Sequence, residues 1–151
     1  MSRISARELA LRQLYAIDVS GCTPDEALAG FNSERFTSLR PEDPLYESLP
    51  DEKELTYISA LLYGVCDHLK ELDGFISLYA IGWSIARIAR VTVSILRLAM
   101  FEILYMDDKD VPDASSINEA VELARRYDSE EAARFVNGIL GNFVRTEKHK
   151  A

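Results

Sequence analysis

The sequence predicts an all-α fold, a single-domain bundle of about seven helices spanning residues 1–151. Three observations carry this expectation. Apolar residues recur in steps of three and four through most of the chain, the period of a helix face packed on a neighbour. Helix-capping residues stand just before those stretches. No segment alternates apolar and polar residues for long enough to make a convincing strand.

The elements follow in order. Ser5 precedes ARELALRQLYAIDV with Glu8 three residues on, the spacing of a capping box, and the helix should stop near Gly21. Thr23-Pro24-Asp25-Glu26 combines a cap, a first-turn proline and two acids, and opens a short helix to about Phe36. Residues 37–50, TSLRPEDPLYESLP, hold three of the five prolines and read as an extended loop. Asp51 caps a long helix whose seam runs through Leu55, Ile58, Leu62, Val65, Leu69, Leu72, Ile76 and Tyr79. Asp73-Gly74 should break that helix in two. Thr92 caps VSILRLAMFEILYM, which is apolar nearly all round and belongs at the centre of the bundle. Its two charges, Arg97 and Glu102, lie about 140° apart on the wheel, so each needs a partner on another helix. The loop DDKDVPDA follows, then Ser115 or Ser116 caps INEAVELARRY. Ser129 caps the last helix, which leads into a short basic tail, residues 145–151.

Composition narrows the function. With 48% apolar and 28% charged residues the chain is an ordinary globular one. Two cysteines, Cys22 and Cys66, are too few for a disulfide framework; two thiols in a reducing compartment is the favoured reading, and one bridge stays open. The N-terminal stretch MSRISARELALRQLY is charged and is no signal peptide. No apolar run reaches the length of a membrane span. These features predict a soluble cytoplasmic protein that does not engage a membrane. The net charge of −8 argues against a generally basic nucleic-acid binder but not against a local basic patch. Much of the acid is segregated: residues 21–54 hold nine acids and three bases.

RFVNGILGNFV, residues 134–144, poses the sharpest question. Asn137-Gly138 is a hairpin signal, yet the helical period runs straight through it. On a wheel at 100° per residue, Ala132, Val136, Ile139, Leu140 and Phe143 form one apolar arc. Gly138 lies opposite its centre, Gly141, Arg134 and Arg145 share that side, and Phe135 sits off the arc toward Gly138. A bare, positively edged face beside one aromatic suits single-stranded nucleic acid, whose bases stack on rings and whose phosphates seek arginine. The alternative is that another helix covers this face and Phe135 is a second-layer core residue. On the wheel alone the alternative is favoured. In the first helix, Arg3 and Arg7 are i, i+4 neighbours on one face, which by itself is usually a solvated surface.

No catalytic constellation is evident, and no metal or cofactor is called for. Cys66 and His68 are two residues apart, so a helix turns them away from each other. The i, i+3 pair Glu119 and Glu122 suits helix-terminal charge and ion pairs. No phosphate loop, nucleophile elbow or zinc-protease motif occurs.

Four blocks in order, RELALRQLYAIDVSG, ILRLAMFEI, INEAVELARRY and FVNGIL, resemble the NusB family of bacterial transcription antitermination factors over about Ser5 to Phe143. The resemblance implies a helical RNA-binding protein that catalyses no reaction. It implies a partner, the small-subunit ribosomal protein NusE, and a ligand, the single-stranded boxA element of ribosomal RNA leader transcripts. Other Nus factors and RNA polymerase would be engaged indirectly, giving processive transcription and ribosomal RNA synthesis. Carried over by position, the arginine-rich patch falls on Arg3 and Arg7, the tyrosine of the first block on Tyr15, and the FVNG block on Phe135, Val136, Asn137 and Gly138; the wheel adds Arg134. The family docks NusE near Tyr79, Trp83, Arg87 and Arg90, of which Tyr79 and Arg87 are taken as partner contacts. The family often has consecutive arginines before the first block, where this chain has only Arg3 and Arg7, and often serine at position 132, where it has alanine. The competing expectation is a helical protein–protein scaffold or homodimer with weak or lost RNA binding. A third, a module of a ribosomal RNA methyltransferase, is disfavoured because little sequence follows Phe143.

Overall fold

The computed structural model describes residues 1–106 and 112–148. Those residues form eight α-helices and two 3-10 turns, with no strand among them. They sort into two compact units, residues 1–66 and residues from 67 onward. The predicted loop after the central helix falls largely outside the described residues, as does the end of the predicted tail.

In the first unit, α1 (Arg3–Ser20) starts one turn earlier than expected. Ser2, not Ser5, is the cap: the Ser5 amide donates to Ser2 Oγ at 3.1 Å. Either serine can cap, and the earlier one adds a turn of backbone hydrogen bonds. Gly21 ends α1 in the left-handed region at φ 77°, its amide bonded to the Ile17 carbonyl at 2.9 Å. In α2 (Pro24–Ala29) Thr23 and Glu26 cap each other reciprocally, both bonds 3.1 Å. The expected single helix to Phe36 is two. α2 stops at Gly30, and Asn32 caps α3 (Ser33–Leu39) by accepting from the Arg35 amide at 2.8 Å. The segment 37–50 is thus less of a loop than predicted, since α3 runs to Leu39 and a 3-10 turn covers Pro44–Tyr46. Phe36, buried, holds these pieces together, its ring 5.8 Å from Phe31 and 5.1 Å from Tyr46. Arg12 reaches from α1 to the same segment: Nη1 is 2.6 Å from Asp43 and 3.4 Å from the Tyr46 hydroxyl. Asp51 and Glu54 cap α4 (Glu52–Asp67) reciprocally at 2.8 Å, as expected for Asp51.

The second unit holds α5 (Leu69–Tyr79), a 3-10 turn (Ile85–Arg87), α6 (Arg90–Tyr105), α7 (Asp113–Tyr127) and α8 (Glu130–Glu147). The long helix breaks at His68, not at Asp73-Gly74. His68 leaves helical geometry at φ −120°, ψ 19°, and its ring packs 4.4 Å from Tyr105 and 5.7 Å from Phe101. Gly74 lies exposed within α5, where it costs helix stability without ending the helix. Asp73 serves the core instead, taking two hydrogen bonds from Arg97 at 2.7 and 2.9 Å. That is the cross-helix partner Arg97 was expected to need. Leu69 is exposed and leaves the predicted seam; Leu72 and Ile76 stay in it, buried.

α6 packs against α5, α7 and α8 and is buried on nearly every side, as its composition implies. Its cap differs from prediction. Ala89 occupies the cap position, and Thr92, one turn in, is buried and donates from Oγ1 to Asp128 at 2.6 Å. Likewise α7 begins at Asp113 after Pro112, which puts Ser115 and Ser116 inside its first turn. Ser129 caps α8 as expected, accepting from the Ala132 amide at 3.0 Å. Residues 145–147, expected in a tail, continue α8.

Candidate nucleic-acid interface

The wheel drawn from the sequence describes α8 well. Ala132, Val136, Ile139, Leu140 and Phe143 are buried, and Phe143 packs edge-on against Phe75 at 5.2 Å and Tyr79 at 5.9 Å. On the other side Arg134, Asn137, Gly138, Asn142 and Arg145 are exposed. A Cβ added at Gly138 would meet no atom within 4 Å, so no described part of the chain covers this face. One at Gly141 would touch only the Arg145 guanidinium, at 3.5 Å. Arg145 itself donates to Asn142. Phe135 is half-buried, with its ring 6.1 Å from that of Trp83 and tilted 66° to it. Of the two expectations for Phe135, neither holds alone: the ring is partly packed and partly open.

Around Phe135 and Trp83 lies a groove of about 390 Å³. Ile88, Ala89 and Ala132 supply apolar lining, Arg87 and Glu131 are exposed, and Thr92, Asp128 and Ser129 complete it. Sequence reasoning noticed Trp83 and Thr92 but missed Asp128 and Glu131. Residues 83–92 and 128–135 meet here across a large sequence separation, so no local pattern marks them.

Tyr79 is half-buried and committed within the unit. Its hydroxyl donates to Glu147, and burial together with that bond raises its pKa above the ordinary 10.0. The turn that follows is strongly apolar and open: Leu78 is 61%, Ile81 83% and Trp83 51% exposed. Gly82 holds φ 83°, which lets the chain turn there at no steric cost.

The candidates in the first unit fare differently. Arg3 is exposed, its guanidinium 4.0 Å from the centre of the Tyr57 ring. It lines a cleft of about 280 Å³ with Met1, Asp51, Lys53, Glu54 and Tyr57. Tyr15 is 40% exposed on α1. Arg7 is only 4% exposed and so does not offer the phosphate-facing cation that its i, i+4 spacing with Arg3 suggested. The wheel failed here because α1 is amphipathic only weakly, and residues 6–11 are all buried whatever their chemistry.

Among the described residues no three histidine, cysteine, aspartate or glutamate side chains converge as metal ligands, and no helix is long and apolar enough to cross a membrane. Neither Cys22 nor Cys66 is in a disulfide, and each is half-buried. Arg125 is paired with Glu122 and Glu130, which raises its pKa further and ties that charge to α7 and α8.

With this geometry in place, the likenesses to known proteins become informative. The model of the NusB family matches residues 4–145. A transcription antitermination protein NusB from Bacillus velezensis is 40% identical over 142 residues, covering 94% of this chain and 95% of that protein. A crystal structure of antitermination factors NusB and NusE in complex with dsRNA superposes with TM-score 0.74 at 26% identity, covering 95% of this chain and 96% of the other. A T. maritima NusB structure gives TM-score 0.73 at 27% identity, covering 97% and 92%.

Proposed function

The chain belongs to the NusB family, and on that premise we propose that it is a transcription antitermination factor which, with the ribosomal protein NusE, binds single-stranded boxA RNA of ribosomal RNA leader transcripts. It thereby promotes processive transcription and ribosomal RNA synthesis, acts in the cytoplasm, and catalyses no reaction of its own. Other Nus factors and RNA polymerase are engaged through the complex.

The observation that carries the RNA reading is the uncovered side of α8. Gly138 has open space above it, Arg134 and Asn137 are exposed beside it, and Phe135 presents part of its ring. A backbone free of side chains lets a nucleotide strand approach closely, Arg134 neutralises a phosphate, Asn137 bonds a base or the backbone, and Phe135 stacks. Stacking favours a single strand, because within a duplex the faces of each base are already stacked on its neighbours. Arg3 and Tyr15 are proposed as a further cation and a further ring. The open turn of Leu78 and Ile81, with Tyr79 and Arg87 close in sequence, is the proposed NusE surface. Residues 1–151 are taken to work as one domain; a single cooperative unfolding transition supports this, and two resolved transitions would oppose it.

A fluorescence anisotropy titration tests the proposal, using boxA RNA as single strand and as duplex, with and without NusE. Tighter binding of the single strand, strengthened by NusE, is expected. No binding of either RNA in the presence of NusE would refute it. The second reading, a protein scaffold or homodimer with weakened RNA binding, has one observation in its favour: Arg7 is buried, leaving Arg3 alone of the expected N-terminal pair at the surface. That reading expects NusE affinity without RNA affinity.

A further inference from the structure

We propose that the groove lined by Trp83 and Phe135 reads an unpaired guanine, with the Asp128 carboxylate as the group that recognises it. The inference rests on the RNA reading above and extends it from affinity to base preference, since Phe135 belongs both to the groove and to the open side of α8.

The lining selects the occupant. A phosphate would face two carboxylates, Asp128 and Glu131, so the nucleotide backbone is excluded. A lysine or arginine side chain would face Arg87, which is exposed and has no ion-pair partner among the described residues. A neutral, flat group meets neither objection. Trp83 and Phe135, tilted 66° to each other, give it aromatic surface, and Ile88, Ala89 and Ala132 give it apolar contact.

Hydrogen bonding then selects the base. A carboxylate only accepts. Guanine alone among the four bases presents two adjacent donors on its Watson–Crick edge, the N1 proton and the N2 amine, which match the two carboxylate oxygens. Adenine and cytosine set an acceptor beside their single amine, and uracil flanks its one donor with two acceptors. Asp128 is held for this task. Thr92 Oγ1 donates to its Oδ2 at 2.6 Å, and because each carboxylate oxygen accepts two bonds, both oxygens remain open to the base. Thr92 is thus a positioning residue.

The test compares two short single strands, all uridine except for one guanosine or, in its place, one inosine, which lacks the N2 amine. The wild-type chain should bind the guanosine strand about tenfold more tightly, because inosine keeps the N1 bond to the carboxylate and loses the N2 bond, one hydrogen bond to a charged group. Asp128→Asn should bring that ratio close to one, and it should also weaken the inosine strand, whose N1 proton the carboxylate accepts. Thr92→Val should lower the ratio partway with an unchanged circular dichroism spectrum, which a merely structural role would not do; it also serves if the aspartate variant does not fold. Equal wild-type affinity for the two strands overturns the inference, as does a ratio that survives Asp128→Asn. Loss of NusE affinity in Asp128→Asn with guanine preference intact would give the groove to a protein side chain. If Phe135→Ala still weakens binding of both strands equally, the RNA face stands and only the guanine assignment falls; if neither strand nor boxA RNA binds, the RNA reading falls with it.

Discussion

Replacing Gly138 separates stability from binding. Its φ is not in the left-handed region, and a Cβ there meets nothing within 4 Å. Alanine therefore costs no packing and removes the conformational freedom that makes glycine about 1 kcal/mol worse than alanine inside a helix. For a chain of this length that gain is a rise in Tm of about 2–4 °C. The same methyl group stands on the side proposed to meet RNA, and a leucine would stand well into it. Forcing extra bulk into a fitted contact typically costs about 1–3 kcal/mol, so Gly138→Leu should weaken RNA binding on the order of tenfold, the equivalent of about 1.4 kcal/mol. Gly138→Ala should weaken it less while stabilising the free protein. Differential scanning calorimetry reads the first quantity and anisotropy with boxA RNA and NusE the second. A Gly138→Leu chain that keeps full RNA affinity would refute the reasoning for this face. A fall in Tm for Gly138→Ala would mean that something covers it after all.

Phe135→Ala should cost on the order of 1–3 kcal/mol of RNA affinity if the ring stacks, measured in the same titration, and the salt dependence should be shallow, with a log–log slope of roughly one to three, because few of the exposed cations, Arg3 and Arg134 among them, belong to the proposed RNA surface. Asp73→Ala removes both hydrogen bonds to Arg97, whose side chain is 14% exposed, and should destabilise the fold by about 1–3 kcal/mol in urea unfolding while leaving m unchanged. Tyr79 titrates above its ordinary 10.0 because burial and Glu147 favour the protonated hydroxyl. The stabilisation is therefore complete below about pH 10 and is lost as pH rises through the raised pKa. Tyr79→Phe should remove that part of the alkaline loss, and a wild-type and variant pair with parallel stability curves above pH 10 would count against it.

What could be read from the sequence was what depends on near neighbours. Thr23 with Glu26, Asp51 with Glu54, and Ser129 before Ala132 cap their helices within three residues, and the exposed side of α8 followed from 100° steps. Misreadings arose wherever a distant residue decided. Thr92 has the local look of a cap, yet Asp128, 36 positions on, takes its hydroxyl. Asp73-Gly74 looks like a helix break, yet Arg97 fixes Asp73 within α5 and the break moves to His68. Arg7 looked solvent-facing because arginine usually is, whereas its burial depends on tertiary packing that spacing does not encode. The family resemblance supplied the identity of ligand and partner, which neither periodicity nor charge contains.

Arg12 carries a consequence for how this surface can vary among relatives. Its guanidinium lies 2.6 Å from Asp43 and 5.5 Å from the centre of the Tyr46 ring, so the acidic crossing between α3 and α4 draws one of the cations of α1 onto itself. Excising Asp43 and Tyr46 would leave that guanidinium less neutralised. Shortening this crossing would therefore make the opening helix more positive without adding a base, within the limit set by Glu8, whose Oε2 lies 3.5 Å from Arg12 Nη2, so loop length there acts as a dial on surface potential.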